Sequence, residues 1–154
     1  MKITLVAVGR LKEAHWRDGA AEYLKRLRPY ATVDVVEVAD RDVTRDEARA
    51  LAEESVDLLR ALPDGAHVIA LDIGGEPLTS EGLADVIADH MVGGRSHVAF
   101  VLGGAAGLTP SVLARADARL SLGQMTLPHQ LARVVLLEQV YRAFRIMRKE
   151  PYHR

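Results

Sequence analysis

The chain has 154 residues, of which 49% are hydrophobic and 27% charged, with no cysteine and a formal net charge of −1. That length suits one domain, burying roughly 70% of the surface its unfolded form exposes, and the balance excludes a disordered tail, a fibrous repeat and a coiled coil. The missing cysteine excludes disulfides, thiolate metal sites and a cysteine nucleophile, and no apolar run approaches the ~20 residues of a membrane helix.

Taken in order, Thr4 to Val8 is a β-rich run closed by Gly9. The preceding residues could pass for a signal peptide, but charged Arg10, Lys12 and Glu13 follow in place of a small-residue cleavage site, so a cytoplasmic strand is expected. A helix is predicted from about Glu13 to Arg28, stopped by Pro29, and a strand over Val33 to Val38. Thr44 with Glu47 three residues on reads as a capping box for a helix running to about Leu62, and Pro63-Asp64-Gly65 is a turn. Val68 to Ile73 is nearly all apolar, as a buried parallel strand would be, and Gly74-Gly75 should end it.

Thr79 or Ser80 caps a helix through about Met91, and Gly93-Gly94 returns the chain to a strand over His97 to Leu102. The turn Gly103 to Gly107, a short helix from Pro110 and a short strand from Arg119 to Leu122 follow. The longest helix spans roughly His129 to Lys149, leaving the tail Glu150-Pro151-Tyr152-His153-Arg154. This alternation predicts a single α/β domain over residues 1–154, a parallel sheet covered by helices.

Charge is unevenly distributed. Residues 1–33 sum to +4, 34–89 to −11, 90–128 to +2 and 129–154 to +4. An acidic middle between two basic ends makes a strongly polarised chain that the near-zero total conceals.

Three strand ends finish in glycine-bearing loops, at Gly74, Gly103 and Gly123. At the carboxyl edge of one sheet they would line a crevice built largely of backbone groups, suited to an adenosine-containing ligand. A tight turn explains each loop equally well in isolation. The GGAAG turn is no dinucleotide fingerprint, because its first glycines are adjacent and no ribose-binding acid stands about 20 residues on. Asp72 reads most simply as a turn-capping carboxylate. The uncharged loop Leu122 to His129 leaves Met125 and Leu127 wanting a ligand, a partner or the core, and His129 suits a capping or packing role better than a catalytic one.

On the last helix Arg133, Glu138, Arg142, Arg145 and Lys149 form a narrow polar stripe, and apolar residues cover most of the rest. A helix packed on one sheet face needs only a stripe of about 100°, so the excess predicts a second packing surface, most simply a two-fold homodimer interface. The six histidines show no paired i, i+4 spacing, so no metal is expected.

Together, MKITLVAVGRLKE, LDIGGEPLTSEGLA, VLGGAAGL, MTLPHQLARVVLLEQVYRAFRIM and the terminal PYHR resemble the ribosomal RNA large subunit methyltransferase H family, over essentially the whole chain. That family belongs to the SPOUT superfamily of methyltransferases with a C-terminal trefoil knot, a feature that chain-topology rules would not predict. The resemblance implies a cytoplasmic homodimer, without metal or membrane association, that transfers a methyl group from S-adenosyl-L-methionine to N3 of a pseudouridine. The target lies in a 23S rRNA hairpin loop of the assembled ribosome, and for such a substrate the basic segments 1–33 and 129–154 are the expected footprint, with Arg10, Lys12, Arg142, Arg145, Arg148 and Lys149 as contributors. Carried over by motif, the cofactor contacts fall on Leu71, Gly103, Leu122, Gly123, Gln124, Met125, Thr126 and Leu127. The N3 proton needs an acceptor, with His153 the candidate, Arg142 or Arg154 offsetting charge and Tyr152 stacking or hydrogen bonding. One subunit's tail would complete the other's site. The competing readings are a non-enzymatic ribosome- or RNA-binding factor on the same fold, and a nucleotide-dependent oxidoreductase, which the missing ribose-binding acid disfavours.

Overall fold

A computed structural model describes residues 1–93 and 96–153. Gly94, half of the predicted Gly93-Gly94 turn, and Arg154, a candidate catalytic residue, lie outside the described residues. The elements are β1 (Lys2–Val8), α1 (Ala14–Leu27), β2 (Thr32–Val38), α2 (Glu47–Ala61), β3 (His67–Pro77), α3 (Ser80–Val92), β4 (His97–Leu102), α4 (Pro110–Arg115), β5 (Ala118–Ser121) and α5 (His129–Met147). The five strands form one sheet in the order β2-β1-β4-β3-β5, every pairing parallel. The predicted α/β sheet is thus what the chain builds.

Parallel strands need helical crossovers, which cover both sheet faces, so central strands carry apolar residues in both directions. Accordingly Ile3, Leu5 and Ala7 of β1 face α1, α3 and α5, while Val6 and Val8 face α2 and α4. Phe100 and Val101 of β4 divide in the same way, and both are fully buried.

Local departures from the expected boundaries have identifiable causes. Thr44 does not cap α2, because its N–H and hydroxyl both donate to Asp42 Oδ1; the cap is Asp46, whose side chain accepts from the Arg49 N–H. Competition from short local hydrogen bonds of this kind is what Asp and Thr offer near a helix start. Gly74-Gly75 does not end β3. The strand runs on to Pro77 with a shift in register against β5 between Leu71 and Glu76, and the Gly75 Cα lies so close to the β5 backbone that a Cβ would meet Leu120 N at 2.8 Å. At the other end, α5 stops at Met147 because Lys149 adopts φ +56°, and the N–H groups of Arg148, Lys149 and Glu150 turn back to carbonyls of the last turn.

Helix α5 lies between α1 and α3 on one sheet face, and most of its apolar residues pack on those neighbours and the sheet, with Leu131 and Val135 outside that core. Arg133 does not belong to a solvated stripe. It is 4% exposed, pairs with Glu37 and donates to the Val8 and Gly9 carbonyls, tying α5 to the ends of β1 and β2.

Three histidines, 67, 97 and 129, are held below their ordinary pKa, burial being the main cause in each. Each binds fewer protons folded than unfolded, so the stability they permit is fully present above about pH 6.5 and is lost as pH falls toward the depressed native values. Thermal melting at pH 7.5 and 5.5 should show the lower midpoint at 5.5. Replacing His67, which stacks on His90 at 3.8 Å, by Gln should narrow the gap.

Candidate active site

The carboxyl ends of β3, β4 and β5 converge, as they must in a sheet whose central strands are all parallel. The loops leaving them enclose a cleft of about 180 Å³ lined by Leu71, Asp72 and Ile73 from β3, by Leu102, Gly103, Gly104 and Gly107 around the β4 end, by Leu120 of β5, and by Leu122, Gly123, Met125, Thr126 and Leu127 after it. His129 and Ala132 of α5 close one wall. Of the eight expected cofactor contacts, seven line this cleft; Gln124 is exposed and does not. Asp72 and His129 line it too, although a simpler role suited each in the sequence.

Backbone geometry explains the glycines. A Cβ at Gly103 would stand 2.4 Å from the Gly107 carbonyl oxygen, because the loop folds back through a Gly107 N–H to Gly104 carbonyl bond of 3.1 Å. Gly107 and Gly123 have φ of +80° and +125°, which side-chain-bearing residues rarely adopt, and nothing lies within 4 Å of where their Cβ would be. Bare backbone thus faces open space at two loops. At the mouth, Ile73 is 66% and Met125 84% exposed, unusual for large apolar side chains. His129 has no hydrogen-bond partner among the described residues. Burial, and after it the Arg133 charge, hold its pKa below the ordinary value, so it stands neutral in the wall at pH 7.

A second polar cluster occupies the other end of α5. Arg142 donates through Nε and Nη2 to Glu138 Oε1 at 2.9 and 2.5 Å, and its guanidinium stacks on the Tyr152 ring at 4.7 Å. Tyr152 donates to the same Glu138 oxygen at 3.1 Å and packs edge-on against Tyr141. Burial, with help from Glu138, pushes the Tyr152 pKa up to about 12, so its hydroxyl is a donor at neutral pH. Arg142 Nη1 lies 3.3 Å from His153 Nδ1, and His153 Nε2 lies 2.7 Å from Glu81 Oε1 on α3. An arginine can only donate, so Nδ1 is the acceptor and Nε2–H donates to Glu81. Glu81 stays below the usual carboxylate range, through its own backbone N–H first and His153 second. The structure thus gathers three of the predicted catalytic residues and orders the tail. Glu81 was not foreseeable, because no spacing links the start of α3 to the chain terminus.

The two clusters do not meet within one chain. None of Arg142, Tyr152 and His153 lines the cleft. Arg142 lies thirteen residues along α5 from His129, roughly 20 Å at 1.5 Å per residue. Among the expected rRNA contacts, Arg10, Lys12, Arg148 and Lys149 are exposed. Arg145 is committed internally, paired with Glu150 at 2.7 Å and donating to Tyr30. Among the described residues no group of three or more His, Asp or Glu side chains is placed to hold a metal ion, and no helix is long and apolar enough to cross a membrane.

A family model described as "Predicted SPOUT methyltransferase" matches residues 1–153. A protein of Carboxydothermus hydrogenoformans named "Ribosomal RNA large subunit methyltransferase H" is 48% identical over 159 aligned positions, covering all of both chains. One of the same name from Listeria welshimeri is 50% identical, again over the full length of both. Among solved structures, a probable methyltransferase from Bordetella pertussis superposes with a TM-score of 0.59 at 20% identity, covering 92% of this chain and 95% of its own. A probable methylase family protein from Haemophilus influenzae gives 0.57 at 15% identity, covering 99% and 70%. At these identities the structures support the fold.

Proposed function

The chain belongs to the ribosomal RNA large subunit methyltransferase H family of SPOUT methyltransferases, and from that premise we propose that it methylates N3 of a pseudouridine in a 23S rRNA hairpin loop, on the assembled ribosome in the cytoplasm, with S-adenosylmethionine as donor. The residues of the cleft fit such a donor: apolar side chains for the adenine, and bare glycine backbone at Gly107 and Gly123 where polar groups can be read by main-chain contacts. When bound, the donor supplies an electrophilic sulfonium methyl group. The chain's part is to bring a nucleobase nitrogen in line with it and remove the N3 proton, for which no metal is needed. His153 Nδ1 offers a lone pair, and protonation there breaks its contact with Arg142. The freed guanidinium then faces the charge developing on the base. Tyr152, neutral and held by Glu138, supplies a hydroxyl and a ring face.

The observation that carries this reading is that the Arg142–Tyr152–His153 cluster stands apart from the donor cleft, roughly 15 Å along α5 from Ala132, the nearest wall residue on that helix. On this reading the working unit is a two-fold homodimer in which each tail serves the partner's cleft. Exposed Ile73 and Met125 at the mouth of the cleft support this, since large apolar side chains there call for a cover. The reading extends to the C-terminal trefoil knot. What supports it is that β5 stands at one edge of the sheet, while Leu122, Gly123, Met125, Thr126 and Leu127, between β5 and α5, line one cleft with the ends of β3 and β4.

Mass spectrometry of the 23S rRNA from cells with and without the gene tests the assignment. One pseudouridine should lose a methyl group on deletion, and purified enzyme should restore it on 70S ribosomes at least tenfold faster than on naked 23S rRNA. So small a basic surface can recognise shape better than sequence. Unchanged rRNA methylation would favour the non-enzymatic factor.

A further inference from the structure

Among the described residues, Asp72 is the one charged side chain lining the donor cleft. Its placement is no accident of a loop. The shift in register between Leu71 and Glu76 leaves residues 72–75 off the ladder with β5, and such an irregularity re-aims a side chain that regular pleating would send elsewhere. The carboxylate is three-quarters buried, yet among the described residues its only cationic partner is Arg119 Nη1 at 3.9 Å, the outer limit of an ion pair, and Arg119 is itself half exposed. A carboxylate so far removed from water calls for a better partner. His129, the other titratable group of the lining, is kept neutral by burial, so among the described residues the wall carries one negative charge and no positive one.

We infer that Asp72 holds the α-ammonium group of the donor's methionyl arm. This rests on the reading of the cleft as an S-adenosylmethionine site. The donor has two cationic centres, and the chemistry chooses between them. A carboxylate set against the sulfonium would stabilise a charge that methyl transfer must discharge, raising the barrier. The ammonium is unchanged by the reaction, so pairing there anchors the arm in ground state and transition state alike. Asp72 is therefore a residue of binding, equally useful to donor and to spent product, and Arg119 is its placeholder when the cleft is empty.

Calorimetry on the intact protein separates the possibilities, with S-adenosylhomocysteine as a ligand bearing the arm and 5′-methylthioadenosine as one lacking it. For Asp72→Asn the affinity for S-adenosylhomocysteine should fall about tenfold or more, the scale of a lost charge-assisted hydrogen bond, and that for 5′-methylthioadenosine should stay within about twofold. Arg119→Ala, which removes the competitor, should keep or tighten S-adenosylhomocysteine binding. Equal loss of both ligands in Asp72→Asn, no loss of either, or weakening in Arg119→Ala would overturn the assignment and leave the pair a structural one. If the unaltered protein bound neither ligand, the donor site itself would be refuted, an outcome distinct from all of these.

Discussion

Gly103→Ala should abolish donor binding while leaving the sheet intact. The added Cβ has to stand 2.4 Å from the Gly107 carbonyl oxygen and 2.5 Å from its carbon, and this neighbour is backbone, which cannot rotate away. The loop that closes through Gly104 and Gly107 must open, carrying with it three of the residues that line the cleft. Overpacking of this kind costs about 1–3 kcal/mol of stability, which the buried β4 behind it can absorb, since Val98 to Leu102 are at most 4% exposed. Calorimetry should therefore find donor affinity lowered by about a hundredfold or more, from a misplaced wall rather than an unfolded chain. Near-unaltered binding in Gly103→Ala would mean the loop is not part of the site.

Arg142→Ala should have the opposite profile: turnover lowered by about 10²–10³, the scale for removal of a group that stabilises developing charge, with donor affinity within twofold. Arg142 joins Glu138, Tyr152 and His153, and no other side chain among the described residues touches all three. Removing it leaves Glu138 with Tyr152 and Gln139 alone and frees His153 from its Nδ1 partner. Arg142→Lys should recover little, because a single ammonium cannot satisfy Glu138, His153 and the Tyr152 ring together as a planar fork does. A large loss of donor affinity in Arg142→Ala would place the cluster inside the cleft and remove the case for two chains.

Much of this was legible in the sequence, and the failures are local. Apolar runs and glycine punctuation disclose five strands and the edge at which three loops converge, because a parallel sheet buried on both faces has to be written in continuous apolar residues. Gly74-Gly75 misleads: a glycine pair looks like a stop, and here it permits β3 to pass against the β5 backbone. Arg133 misleads in the same way, since a charge in a helical stripe looks solvated until Glu37 and two strand-end carbonyls, more than 95 residues away, are brought to it. Partners that distant leave no periodic mark. Neither does Glu81, which meets the tail only through the packing of α3 on α5. Asp72 and His129 were visible as residues but not as lining, because their orientation depends on the register shift in β3 and on where α5 begins.

The central claim is that two chains make one active site, and a mixed dimer tests it most directly. Gly103→Ala lacks a cleft that binds donor, and Arg142→Ala lacks a working tail cluster. Each alone should be inactive. Unfolded together and refolded as an equal mixture, half of the dimers combine one of each, and in those one of the two sites receives both an intact cleft and an intact partner tail. Methylation of ribosomes should then return to about a quarter of the unaltered rate, as statistical pairing in a two-fold dimer requires. A mixture as inactive as its components, with heterodimers shown to be present, would contradict the shared site.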